Sequence, residues 1–212
     1  MRNPCLVVFV LGFFASIGCA AKPTQELFNG RDLSGWEFVA VPATDIGTVG
    51  KVLPAGSIDF AGSPVGYIAT TATYRNYRLH VEYRWRDKPG NGGVLVHISS
   101  GPKDKAWPLC IQIQTKYQSA GDLLPMAGSK FAEPLEPNQK IPRRARIGID
   151  SEKPVGEWNS YDIICLNDNI EVFVNGVAQN RATAVSPSSG RIGFQFEGTP
   201  FELRQVTIET LD

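Results

Sequence analysis

Apolar side chains recur at every second position through much of this chain, the spacing of strands that bury one face. The clearest unit is Gly156 to Val177, GEWNSYDIICLNDNIEVFVNGV. Two apolar runs of strand length flank Asn167-Asp168-Asn169, and the unit closes on Asn175-Gly176, a pair able to take the two left-handed positions of a tight hairpin. The pattern predicts an antiparallel meander with Ile170, Val172 and Val174 facing the core and Glu171 and Phe173 facing away. A mixed second face suits the outer side of a layer in a stacked two-sheet fold, not a parallel strand buried on both faces.

Five further stretches repeat this alternation. Leu79, Val81, Tyr83 and Trp85 share one side, against Arg78, His80, Glu82, Arg84 and Arg86 on the other, which line a concavity or form a solvated outer face. After the turn Lys88 to Gly93, period two places His97 opposite Val94, Val96 and Ile98. Leu109, Ile111 and Ile113 oppose Gln112 and Gln114, and Ile192, Phe194 and Phe196 oppose Gln195 and Glu197. In the last strand Phe201 and Leu203 alternate and Val206 and Ile208 continue with shifted parity, predicting a bulge near Arg204-Gln205, with Leu211 closing the core.

Elsewhere the pattern weakens. Asn29-Gly30 marks a turn, with Leu33 and Trp36 placed to plug one end of the fold. Residues 40 to 66 read as irregular connections with short edge strands. Between Gln118 and Arg146 lies a Pro- and Gly-containing excursion, of a length found in functional rims or poorly ordered loops. The whole predicts an all-β fold, a two-layer antiparallel sandwich.

Residues 1–21 read as an export signal: Arg2, an apolar run Leu6 to Phe14 too short to span a bilayer, then small residues from Ser16 to Ala21. Cleavage near Ala20 gives a soluble protein, whereas Cys19 in Ser16-Ile17-Gly18-Cys19 suits a bacterial lipoprotein signal apart from its serine. Either exit puts the folded part outside the cytoplasm, in the periplasm, outer envelope or medium. About 190 residues remain, enough for one domain over 26–212. Lys+Arg 21 balance Asp+Glu 21 with no long basic stripe, which argues against a nucleic-acid partner. Cys5 leaves with the signal; Cys110 and Cys165 can form a disulfide in an oxidising compartment or serve as small hydrophobes. Neither has a histidine at metal-ligand spacing, which argues against structural zinc.

The candidate chemistry lies on the polar faces. Gln112, Gln114 and Gln195 each offer a donor and an acceptor to a sugar hydroxyl, or brace nearby loops. Glu197 is a carboxylate on the reverse of a core-facing strand, and Gly198 leaves room beside it. His97 can move protons near neutral pH or be a structural histidine, and His80 is a weaker case. Trp107 and Tyr117 are placed as sugar-stacking rims, although a tryptophan before Pro108 also suits a loop anchor. Lys116-Tyr117 and Gly121-Asp122 stand where a rim would begin. Arg143, Arg144 and Arg146 form a solvated charge run or steer an anionic ligand. A carboxylate and a histidine on neighbouring strands can hold a divalent ion, but too few ligands are identifiable to name a metal site. The reading needs no cofactor and leaves oligomeric state open.

The opening FNGRDLSGW, GNGGVLVHI, WPLCIQIQ followed by Gly121-Asp122, GEWNSYDI with VNG, and the ending GRIGFQFEGTPFELRQVTI together resemble the 3-keto-disaccharide hydrolase domain family. Each motif is weak alone, but the ordered set spans residues 26 to 211. The resemblance implies the jelly-roll sandwich of concanavalin A-like lectins and glucanases, with a cleft for a glycoside oxidised to a ketone at carbon 3. That ketone acidifies the carbon 2 proton; its loss gives an enolate that expels the group on carbon 1, and water adds back. Such a route needs a base near carbon 2, a donor or cation beside the carbon 3 oxygen and an acid for the departing oxygen.

Two departures bear on this. The family branch reads Glu-x-Gln in the central strand where this chain has Gln112 and Gln114, and often carries arginine near the position of His97. A glutamine cannot serve as the carboxylate, so Glu197 is the remaining candidate, assisted by His97, with the glutamines holding hydroxyls. The readings are therefore an exported hydrolase or lyase acting on 3-keto-glycosides, a non-catalytic carbohydrate-binding module taking an oxidised or unmodified sugar, or a structural envelope protein.

Overall fold

The alternating segments form two antiparallel sheets packed face to face in a computed structural model that describes residues 23–212. The export signal expected over 1–21, with Cys5 and Cys19, lies outside the described residues. The strands are β1 (Gln25–Glu26), β2 (Trp36–Ala40), β3 (Gly50–Val52), β4 (Ile58–Phe60), β5 (Gly66–Thr70), β6 (Tyr77–Trp85) and β7 (Gly93–Asp104). They continue as β8 (Trp107–Gln114), β9 (Leu123–Met126), β10 (Asn159–Leu166), β11 (Asn169–Val174), β12 (Val177–Ala182), β13 (Arg191–Phe196) and β14 (Phe201–Thr210). One sheet runs β12-β11-β10-β6-β14-β4-β3 with β1 on β14, and the other β2-β5-β13-β7-β8-β9.

Between them lies the main core. Ile170, Val172 and Val174 meet Ile111, Ile113, Ile192, Phe194 and Phe196 there, all nearly or fully buried, each such side chain contributing roughly 1.5–3 kcal/mol on burial. Phe60, Phe196 and Phe201 form a ring triad with centroids 5.2–5.3 Å apart. Trp36 stacks on Phe28 at 4.2 Å and donates its indole N–H to Leu27 O, so the expected plug is present. The meander follows the sequence: Asn175 and Gly176 take φ of 50° and 78°, and Asn175 Oδ1 accepts from Ser160 N. The expected bulge in β14 falls between Arg204 and Thr207, with Gln205 at φ 48°.

The polar side of β6 is an ion-paired outer face. Arg84 pairs with Glu202, Arg86 with Asp59 and Arg204 with Glu82, and the His80 ring is hydrogen-bonded to Asp162. Arg84 and Arg204 also lie over the Trp158 ring.

Four expectations change. His97 does not stand opposite Val94 and Val96 on the outer face. The ladder with β8 shifts between Val96 and Ser100, and His97 takes φ 57°, so its fully buried ring turns to meet Tyr77 of the other sheet edge-on. Parity after the bulge is reset, and Ile98 joins Tyr67, Leu95 and Cys110 in a small outer cluster. Cys110 in that cluster and Cys165 in the main core are separated by a sheet, and both are buried free thiols. The excursion contains strand β9, and its arginines are tied down: Arg143 pairs with Asp122 and Glu136, Arg144 donates to Asn180, and Arg146 donates to Gln118 O and pairs with Asp150.

Burial lowers the His97 pKa from 6.5 to about 4, the bond to Pro187 O opposing only weakly. A folded pKa below the unfolded one means His97 supports the fold fully above the ordinary histidine range and withdraws that support as pH falls from 6.5 towards 4. Moving from about pH 7.5 to about pH 4.5 should therefore cost wild type about 2 kcal/mol more than His97→Gln. Paired urea titrations check this; equal pH sensitivity would remove His97 as the cause.

Candidate functional site

On the outer face of the six-stranded sheet, β7 lies between β13 and β8. Core-facing Phe194 and Phe196 turn Gln195 and Glu197 to this face, as Ile111 and Ile113 do for Gln112 and Gln114. The glutamines of β13 and β8 would be held a strand apart were it not for Gly93. A Cβ there would lie 2.6 Å from Gln112 Cγ and 2.7 Å from its Nε2, so the bare backbone is the trough through which Gln112 crosses β7. Gln112 Nε2 donates to Gln195 Oε1 at 2.8 Å and to Gln114 Oε1 at 3.0 Å, while Gln195 Nε2 donates to Glu197 Oε1 at 3.0 Å.

A second donor reaches Glu197 from the Gly-rich turn before β7: Asn91 Nδ2 donates to its Oε2. That turn is pinned to the chain beyond β8, where Thr115 N donates to Gly92 O and Tyr117 N to Gly90 O. The opposite sheet reaches through to hold the same place, with Tyr161 Oη donating to Gln114 O at 2.7 Å and Trp85 Nε1 to Thr115 O at 3.2 Å. Burial raises the Glu197 pKa above its ordinary value, and the positive charge of Lys116 works against that rise.

These side chains floor a cleft of about 610 Å³, within the range of small-molecule sites. The β7–β8 hairpin supplies Asp104, Lys105 and Trp107 to one wall, β9 supplies Leu124 and Met126, and Lys140 to Pro142 of the excursion form a rim. Gln112 Oε1 and Asn91 Oδ1 are buried beside the cleft without a hydrogen-bond partner, which is costly in a finished protein interior.

The structure thus brings Gln112, Gln114, Gln195, Glu197 and Trp107 to one cleft. His97 is in the core, His80 is on the outer face of the other sheet, and half-buried Tyr117 is not among the lining residues. Gly198 takes φ +91° with open space around it, as a turn beside the carboxylate requires. Asn91, Lys105 and Lys140 were not singled out from sequence; the signal for Asn91 was a lone amide between glycines, read there only as a turn. Among the described residues no group of three or more His, Cys, Asp or Glu is placed to hold a metal ion.

A two-sheet sandwich with a polar cleft on one outer face has counterparts among solved structures. A Parabacteroides distasonis protein provisionally assigned as a glycosyl hydrolase superposes with TM-score 0.66 at 22% identity, over 89% of this chain and 94% of that one. The carbohydrate-binding module CBM66 of Bacillus subtilis gives 0.59 at 12%, over 84% and 98%. The β-glucanase of Bacillus licheniformis gives 0.53 at 11%, over 92% and 100%. At these identities the likeness shows the lectin- and glucanase-type fold. No curated protein matches the sequence. The chain belongs to the 3-keto-α-glucoside-1,2-lyase-like domain family, whose profile matches residues 23–209. At the level of the family it is a carbohydrate-active domain of the glycoside hydrolase and lyase type.

Because the folded pKa of Glu197 is raised, its neutral form suits the fold and its ionised form strains it. Its contribution to stability is therefore largest at or below the ordinary carboxylate range and declines as pH rises through the folded pKa. Compared with Glu197→Gln, wild type should lose stability on going from about pH 4 to about pH 7. Chemical denaturation of the two proteins at both pH values tests this, and a difference independent of pH would contradict the raised pKa.

Proposed function

We propose that this domain cleaves 3-keto-glycosides by elimination, with Glu197 as the base that removes the carbon 2 proton. The observation that supports it is a carboxylate raised by burial, fixed by Asn91 and Gln195, in a cleft of sugar-binding size. A base of this kind works best when its pKa approaches the operating pH, which desolvation promotes.

In the first step the carbon 2–hydrogen bond breaks, the proton passes to Glu197 and the electron pair moves into an enolate on the carbon 3 oxygen. The pair then returns to form a carbon 1–carbon 2 double bond as the carbon 1–oxygen bond breaks. The departing oxygen takes the bonding electrons and a proton, for which protonated Glu197 is the acid at hand. Water adds across the double bond, hydroxyl to carbon 1 and hydrogen to carbon 2. Lys105 and Lys140 in the cleft and Lys116 near Glu197 supply positive potential for the enolate. Gln114 offers its amide to sugar hydroxyls and Trp107 a face for stacking. His97, in the core, takes no part. We place this reaction outside the cytoplasm on the strength of the signal-like residues 1–21; protein from its host should begin between Cys19 and Lys22 by intact mass, and a retained cytoplasmic amino terminus would contradict it.

Glu197→Gln should lower turnover roughly 100-fold or more while binding persists. An acid limb of kcat/KM above the ordinary carboxylate range should disappear in that variant. Release of aglycone from a 3-keto-glucoside beside its unoxidised parent is the measurement. The parent has no acidified carbon 2 proton and should be inert. Equal rates for wild type and Glu197→Gln would take Glu197 out of the mechanism, and saturable binding with no turnover would favour a carbohydrate-binding module.

A further inference from the structure

A carboxylate accepts hydrogen bonds and donates none. With Glu197 ionised, Gln195 must turn its NH2 to Glu197 and its Oε1 back across β7, where a donor alone can meet it. Gln112 Nε2 is that donor, and its NH2 is further committed to Gln114 Oε1. Reversing the Gln112 amide would set oxygen against oxygen, so the polarity of the row is forced from the carboxylate outwards. Its consequence is visible at the far end, where Gln112 Oε1 is left buried without a partner.

We infer that Gln112 is a positioning residue for Glu197, acting through the Gln195 amide across the trough at Gly93, and does not itself hold substrate. It is only 2% exposed, and its NH2 is committed within the protein. By fixing the Gln195 amide with its NH2 towards Glu197, it favours the ionised form of a carboxylate that burial pushes the other way. For its kinetic part the inference rests on the proposed role of Glu197; its ionisation part does not.

Gln112→Glu, close to isosteric, puts two carboxylates on one amide. Carboxyl carbon-13 NMR of glutamate-labelled protein, assigned with Glu197→Gln, should show the Glu197 pKa raised by about one unit or more. The acid limb of kcat/KM on 3-keto-glucoside should move by the same amount, with KM changed less than about 2-fold. Gln112→Met, which keeps the length and removes the amide, should also raise the Glu197 pKa and lower kcat about 10-fold. Gly93→Ala, which displaces Gln112 through the 2.6 Å clash, should act in the same direction. A Glu197 pKa unchanged within about 0.2 units in Gln112→Glu overturns the inference, as does a rise in KM alone, which would mark Gln112 as a substrate contact. A displaced pKa in a protein that does not turn over the ketone supports the relay and overturns the base role of Glu197.

Discussion

A carboxylate half-removed from water must be met by donors, and the cleft floor is built around that demand of Glu197. Two amides answer it from different parts of the chain, Asn91 from a turn and Gln195 from the same strand. Satisfying Gln195 then requires a donor on the far side of β7, and satisfying that donor's reach requires a glycine beneath it. Three segments of sequence are committed by one ionisable group. The sheet supplies the rigidity, because the reverse side of β8 and β13 is locked into the main core by Ile111, Ile113, Phe194 and Phe196.

Support also comes through the core from the other sheet. Tyr161 and Trp85 are core residues, yet each spends its polar atom on the backbone at the end of β8, just before Lys116. A buried hydroxyl or indole N–H needs an acceptor, and here the acceptor is the chain that carries the cation nearest in effect to Glu197. Packing and site geometry are thereby coupled: the side chains that fill the sandwich also fix the strand end on which the electrostatics depend.

Most of the architecture was legible because alternation is a strong signal wherever one face of a strand is apolar. Val172, Phe194 and Ile208 are buried where period two places them, and even the parity change in β14 was visible in the spacing of Leu203 and Val206. The same logic put the three glutamines and Glu197 on one face, whereas Trp107, of the same parity as Leu109 and Ile111, reaches the cleft from the irregular β7–β8 hairpin. His97 was not legible, since a bulge with a left-handed non-glycine residue leaves no mark in hydropathy, and a one-residue slip exchanges the two sides of a strand. The excursion was legible as a candidate rim, but loops carry no periodicity, so neither Asn91 nor the particular residues Lys140–Pro142 were marked. The arginines at 143, 144 and 146 looked like a solvated run, since their partners Asp122, Glu136, Asn180 and Asp150 are distributed through sequence on either side.

The neutral amide of Gln112 also bears on what kind of chemistry the cleft can support. Ordinary glycoside hydrolysis uses two carboxylates flanking the bond, kept in different ionisation states by different surroundings. Here the floor has one half-buried carboxylate, while Asp104 is on the exposed hairpin wall, and the amide row from Gln112 to Glu197 has no second ionisable member. A ketone at carbon 3 removes the need for a symmetric pair, because the substrate itself stores the electrons between proton loss and departure of the leaving group. In the proposed elimination, what remains for the protein is one base of adjusted pKa and a positive field. A neutral amide at 112 fits that division better than a second carboxylate would, since two acids joined through Gln195 would titrate as a pair and leave neither with an independently set pKa.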